Sequence, residues 1–117
     1  IHMDNYSRQL DRTFGALADP TRRAIMARLA QGEASVGELA RPFDMALPNL
    51  MKHIRVLETG GLVESEKQGR VRTCRLKPSG MKGVETWIAE QRAIWEARID
   101  RLEAYASSLE KKARRKA

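Results

Sequence analysis

Ser35-Val36-Gly37-Glu38-Leu39-Ala40-Arg41 and, after a short break, Pro48-Asn49-Leu50-Met51-Lys52-His53-Ile54-Arg55-Val56-Leu57-Glu58-Thr59-Gly60-Gly61 carry the architecture of this chain. Ser35 followed by Glu38 has the spacing of a capping box, in which a hydroxyl satisfies the free N–H groups of a helix start. It predicts a short helix through about Arg41. Pro42 to Ala46 reads as a turn. Pro48 suits the first turn of a second helix, where its missing N–H costs nothing. That helix is predicted to reach about Thr59, burying Leu50, Ile54 and Leu57, and to stop at Gly60-Gly61. A short capped helix, a tight turn and a helix of ~12 residues make a helix–turn–helix, whose second helix can lie in a DNA major groove.

Working outward, Leu62 to Glu66 and Arg72 to Leu76 read as short strands around Lys67-Gln68-Gly69-Arg70, a turn with two positive charges. A two-stranded hairpin behind a helix–turn–helix is a wing. From about Ser79 to Lys112 the pattern is helical again, with Trp87, Ile88, Gln91, Ile94, Trp95, Ile99, Leu102, Ala106 and Leu109 at three- and four-residue steps. Gly80 and Gly83 are expected to loosen its first turns. About 45 Å of helix is too long for so small a body to cover, so its apolar stripe should be buried against a partner chain. On the other side, residues 7–18 read as a helix, and Asp19-Pro20 caps a second one that buries Ile25, Met26 and Leu29 and ends at Gln31-Gly32. The expected fold is mainly α with a two-stranded β wing: a winged helix–turn–helix with a long C-terminal helix in a dimer interface. Residues 4–110 form the DNA-binding and dimerisation domain, and 111–117 form a basic, disordered tail.

The 117 residues carry a net charge of +7, which calls for an anionic partner. Its distribution is uneven. Residues 1–40 are neutral, 41–77 carry eight basic and four acidic groups, 78–110 are net −2, and 111–117 hold five cations with no acid. The informative charge therefore coincides with the second helix of the helix–turn–helix and the wing. No apolar run is long enough to span a bilayer and no secretory signal pattern stands at the start, so no membrane partner and a cytoplasmic location are expected. Ile1 and His2 read as a remnant ahead of a start at Met3. A single cysteine, Cys74, leaves no internal disulfide.

On the second helix of the motif, Pro48, Asn49, Met51, Lys52, His53 and Arg55 are the candidate DNA contacts. Asn49 can pair with adenine in a bidentate manner and Arg55 with guanine or phosphate. Lys52 suits a phosphate. His53 is either a base or phosphate donor or a polar residue packed at a helix–helix contact. Lys67, Gln68, Arg70 and Arg72 form the wing set, suited to phosphate or minor-groove contact; an ordinary exposed turn would also be polar. At Thr21-Arg22 an open helix start can hold a phosphate, unless Asp19 already occupies it and Arg23 pairs with a carboxylate. The stripe on the last helix reads as core and dimer packing; an effector pocket lined by its tryptophans is the minor alternative. Cys74 reads as an inert thiol, with oxidation sensing as the alternative. There is no Gly-rich phosphate loop, no histidine pair and no assembled nucleophile and base, so no enzyme activity and no cofactor are expected.

Phe14-Gly15-Ala16-Leu17-Ala18-Asp19-Pro20-Thr21-Arg22-Arg23-Ala24-Ile25 resembles the opening signature of ArsR-type bacterial repressors. Pro48 to Glu58 with Gly60-Gly61-Leu62-Val63 is similar to their recognition helix and its exit, and Gly69-Arg70-Val71-Arg72 to their wing tip. The resemblance covers residues ~8–109. It implies a homodimeric transcriptional regulator, usually a repressor, on double-stranded operator DNA of near-palindromic sequence. It also implies first and last helices paired across the dimer, here through Leu10, Phe14, Trp95, Ile99, Leu102 and Leu109. Two positions depart from the pattern: Ala46 and Met51 stand where the family often has Ser. Ala46 cannot cap through a side-chain oxygen, which leaves Asp44 as the nearby candidate, and Met51 offers apolar contact to a thymine methyl. The metal-sensing forms of the family use cysteines on the third helix or His and carboxylate sets on the last. This chain has neither, so no metal is expected and the effector is open. The reading from a different class is a helical protein–protein interaction module with only non-specific DNA affinity.

Overall fold

The computed structural model describes residues 2–116, with side chains from Tyr6 to Lys116. Ile1, read as foreign to the fold, and Ala117 at the end of the basic tail lie outside the described residues. The chain divides into two units, residues 1–84 and 85–117.

The first unit contains the helix–turn–helix and wing. Helix α1 is His2–Leu17 and α2 is Pro20–Leu29. Asp19 caps α2 as expected: its carboxylate accepts the Arg22 N–H at 3.0 Å. Strand β1 (Ala34–Ser35) leads into α3 (Val36–Ala40), where the Ser35 hydroxyl oxygen accepts the Glu38 N–H at 3.1 Å. Helix α4 is Leu47–Thr59, followed by β2 (Val63–Gln68) and β3 (Val71–Leu76).

The core joins these elements. Leu50, Ile54 and Leu57 of α4 are fully buried, with Ile25 of α2, Leu39 of α3, Leu62 and Cys74 around them. Met26 is half-buried at the edge of this cluster. Thr13 is the buried polar residue of the unit, and its hydroxyl donates to the Gly60 carbonyl at 2.8 Å. That bond fixes α1 against the end of α4, so α4 is held along its length and at its exit.

The sheet differs from the expected two-stranded hairpin. It has three antiparallel strands in the order β1-β3-β2, with Ala34 opposite Cys74 and Ser35 opposite Thr73. Two residues are too short to show the period-2 alternation that marks a strand in sequence; β1 exists because β3 offers it an edge. The wing turn is also tighter than expected. Gln68 pairs with Val71, so only Gly69-Arg70 remain in the loop. Gly69 has φ +64° and Arg70 a negative φ. That is the pattern of a type II′ turn, which matches the twist of its strands and needs glycine at its first central position.

The last helix was expected from about Ser79 to Lys112. Pro78–Met81 instead forms a 3₁₀ turn, and α5 is Lys82–Lys116. Gly80 and Gly83 stand at this break. Residues 111–116, expected to be disordered, continue the helix. Lys and Arg have good helix propensity, and cations are favoured at a helix C-terminus.

The second unit, by itself, is α5 from Glu85 onward. Ile88, Ile94, Trp95, Ile99, Leu102, Tyr105 and Leu109 are all exposed in the isolated chain. No helix among the described residues is long and apolar enough to cross a membrane.

Candidate nucleic-acid interface

Helix α4 has two faces because its buried residues recur at steps of four and three. With Leu50, Ile54 and Leu57 turned into the core, Asn49, Lys52, Arg55 and Val56 are left exposed, as is Pro48 in the first turn. Asn49 and Lys52 sit one turn apart on the same side. Among the described residues neither they nor Arg55 has a hydrogen bond or ion-pair partner. The helix start is open: the N-cap is Ala46, with no side-chain cap, so Asp44 does not take that role.

Met51 is half-buried, packed against the core and facing a groove of about 450 Å³ between α4 and the wing. Lys67, Arg70 and Arg72 line the wing side of this groove. Two apolar residues outside the sequence-based set, Leu47 and Val71, line it too, each 53 % exposed. The signal for them was present but weak: an apolar residue at a helix start and another just past a turn, both ordinary in a core.

The wing cations divide into two kinds. Lys67, Gln68 and Arg70 are exposed around the turn. Lys67 stands directly opposite Arg72 in the ladder, a like-charge pairing that a sheet disfavours unless an anion or another acceptor relieves it. Arg72 finds an acceptor: its guanidinium donates to Ser65 Oγ at 2.9 Å, and that hydroxyl donates to the Glu58 carboxylate at 2.9 Å. Arg72 therefore braces the wing against the last turn of α4. Next along the strand, Arg75 pairs with Glu64 at 2.9 Å and Glu66 at 3.6 Å.

His53 lies at the helix–helix contact. Its Nδ1 is 3.2 Å from Arg22 Nη1 and 3.9 Å from the Asp19 carboxylate. A guanidinium has only donors, so Nδ1 is the acceptor in the contact with Arg22. Arg22 also donates to the carbonyls of Ala16 and Gly15 at 2.9 and 3.0 Å, and Arg23 to that of Leu17 at 2.7 Å. Arg22 and Arg23 thus close the C-terminus of α1; of the alternative reading at this helix start, Asp19 caps as described, while Arg23 takes a carbonyl and not a carboxylate. The N–H donated by Arg22 holds the Asp19 carboxyl below its usual range, with the Arg22 charge adding to the effect. With Asp19 in place, the start of α2 is occupied.

Cys74 is fully buried, and burial pushes its thiol pKa up. The thiolate needed for redox sensing is disfavoured there. Among the described residues no group of three His, Cys, Asp or Glu side chains could hold a metal ion. The dimer candidates lie on two elements: Leu10 and Phe14 half-buried on α1, and Trp95, Ile99, Leu102 and Leu109 exposed on α5.

A helix–turn–helix followed by a β wing, with an open cationic face on its second helix, defines a winged helix–turn–helix DNA-binding protein. A helix-turn-helix domain family matches residues 17–66. The chain is 44 % identical over 79 residues to the HTH-type transcriptional regulator Rv2034 of Mycobacterium tuberculosis, covering 68 % of this chain and 74 % of that one. It is 56 % identical to a crystal structure of an ArsR family transcriptional regulator, with a TM-score of 0.74 over 77 % of this chain and 93 % of the other. A solution structure of the homodimeric winged helix-turn-helix DNA-binding domain of Mb0332 from Mycobacterium bovis is 26 % identical, with a TM-score of 0.62 over 79 % of this chain and 87 % of that one. The chain belongs to the ArsR family of transcriptional regulators.

Proposed function

We propose that this chain is a homodimeric repressor that reads a near-palindromic operator, one half-site per subunit. The observation that carries the reading is the grouping of unpartnered polar and cationic side chains. Asn49, Lys52 and Arg55 on α4 and Lys67 and Arg70 on the wing lack partners among the described residues and belong to elements that border one groove. Cations on a folded surface that make no pairs within the protein are suited to phosphate.

In this reading α4 enters the major groove. Asn49 reads a base edge, and Met51, Leu47 and Val71 supply apolar surface for thymine methyls. Lys52, Arg55, Lys67 and Arg70 hold the backbone and set the register, while Gln68 lies beside them at the wing tip. Arg72 and His53 act one step back, keeping the wing and α4 at fixed angles. The self-association agrees with the exposed stripe on α5 and with the homodimeric relative. Residues 4–110 form the binding and dimerising domain, and the cations of 111–117 add attraction without sequence preference.

Selection of binding sites from random duplex DNA tests this. Recovery of a two-fold-related motif, with half-sites about one helical turn apart, is the expected result. Salt-sensitive binding with no enriched sequence would favour the protein–protein interaction module instead.

A further inference from the structure

Helices α1 and α4 pack closely at Gly60 and leave a groove beside that contact. A Cβ placed on Gly60 would come within 3.1 Å of both the Ala16 Cβ and the Arg12 carbonyl oxygen. The bond from the Thr13 hydroxyl to the Gly60 carbonyl locks the two helices there. The groove holds about 440 Å³ and is lined by Arg12, Gly15 and Ala16 of α1 and by Arg55, Val56 and Thr59 of α4. That volume is in the range of small-ligand sites, roughly 300–1,000 Å³. All six residues belong to the first unit. Leu10 and Phe14, the dimer candidates on α1, lie on another side of that helix by its periodicity.

Two features of this groove serve no contact among the described residues. Gly15 is the first. Its φ is not positive, and a Cβ there would meet nothing within 4 Å. Neither backbone nor neighbour requires a glycine, which weakens a helix interior; its missing side chain leaves the groove open. The second is the pair Arg12 and Arg55, one from each helix. Both are exposed, and neither has a hydrogen bond or ion-pair partner among the described residues. The remaining lining is largely apolar, with Val56 38 % exposed on α4. A bare phosphate gains nothing from that surface. An anion with a hydrocarbon body gains from both parts, the charge on the arginines and the body on Ala16 and Val56.

We infer that the groove between α1 and α4 binds a small monocarboxylic acid, with its carboxylate on Arg12 and Arg55 and its hydrocarbon body on Ala16 and Val56. The planar guanidinium fork matches a carboxylate in shape as well as charge. The regulatory consequence rests on the reading above in which Arg55 holds the DNA backbone. An acid that occupies Arg55 withdraws it from phosphate, so acid and DNA compete and the acid releases the operator. By linkage, DNA lowers affinity for the acid by the same factor.

Octanoate titrated into the full chain by calorimetry, without DNA, tests the site. Acetate and octanol are the controls, one with the charge alone and one with the body alone. Octanoate should bind, and each control should bind about tenfold more weakly. Arg12→Gln removes one fork and Gly15→Leu fills the groove; each should weaken octanoate about tenfold, and melting curves check that both fold. Neither residue is among the proposed DNA contacts, so both variants should keep the parent's affinity for a mixed-sequence duplex. On the parent, saturating octanoate should lower the salt slope for that duplex by about 1.8 relative to equal acetate, the share of two Arg55 contacts per dimer. Equal octanoate binding by the parent and both variants, or none at millimolar concentration, overturns the site. So does an Arg12→Gln chain that keeps octanoate but loses salt slope on DNA, which makes Arg12 a phosphate contact. Octanoate binding that is lost in the variants yet leaves the parent's DNA affinity unchanged keeps the site and overturns the placement of Arg55 on DNA.

Discussion

Arg70 and Arg72 lie two residues apart on the wing, and their substitution by alanine should give opposite phenotypes. Arg70 is exposed at the second position of the turn, with no partner among the described residues. Arg70→Ala should therefore leave stability within about 0.5 kcal/mol of the parent. Its loss is electrostatic. Each phosphate contact contributes about 0.9 to the slope of log affinity against log salt, and a dimer loses two, about 1.8. Raising salt from about 50 to 200 mM should then change the ratio of parent to variant affinity about twelvefold. Arg72 instead donates to Ser65, whose hydroxyl donates in turn to the Glu58 carboxylate on α4. Arg72→Ala should cost about 1 kcal/mol, a fall of about 4–8 °C in melting temperature for a body of this size, with a smaller change in salt slope. Fluorescence anisotropy on one operator at four salt concentrations, beside thermal melts, measures both. Equal salt slopes for Arg70→Ala and the parent, or a larger melting shift at Arg70 than at Arg72, would refute the division.

Three further outcomes follow from particular contacts. Asn49→Ala should relax preference at one base position in each half-site, at about 1–3 kcal/mol of discrimination, and leave the melting temperature unchanged; site selection with the variant checks it. The Asp19 carboxyl is held low by the Arg22 N–H, so the unfolded chain binds its proton first as pH falls. Its stabilising effect is complete above the ordinary carboxyl value near 3.9 and is lost as pH drops through the lower folded value. Asp19→Asn keeps a capping oxygen and should flatten urea midpoints between about pH 5 and 2.5. Gly80→Ala would drive a methyl into the Gly61 carbonyl and should cost about 3 kcal/mol. Gly15→Ala in α1 meets nothing and should stabilise by about 0.5–1 kcal/mol; paired denaturant curves compare them.

Much of this architecture is legible in the chain because it is written in local rules. Asp19-Pro20 and Ser35 with Glu38 announce helix starts whatever surrounds them, and Leu50, Ile54 and Leu57 share a face by periodicity alone. What escapes is set by contact across the fold. Strand β1 has no pattern of its own and is defined by Cys74 and Thr73 opposite it. The candidate site divides in the same way. Residue type marks Asn49, Lys52 and Arg55 as polar groups on a half-buried helix, and the structure leaves them exposed. Residue type cannot say that His53 turns back to Arg22, or that Arg72 turns to Ser65, because the partners are 31 and 7 residues away.

This division changes what the net charge means. Between residues 41 and 77 the chain has eight cations and four carboxylates, yet the carboxylates are not spread evenly among the cations. Glu64 and Glu66 are held by Arg75, and Glu58 is reached through Ser65 by Arg72. Three of the four acids are thereby matched by two arginines on one strand of the sheet. Among the described residues, Lys52 and Arg55 on α4 and Lys67 and Arg70 at the wing tip are left without a neutralising partner. Arg22, Arg23 and Arg28 repeat the pattern in the first helices, closing carbonyls at helix ends. A surface built this way keeps its field on α4 and the wing tip, the face proposed above to meet DNA. Reversing Glu64 and Glu66 to lysine would raise the net charge by four. That should strengthen binding to any DNA while narrowing the margin between operator and random sequence, because the new field lies away from the base-reading face.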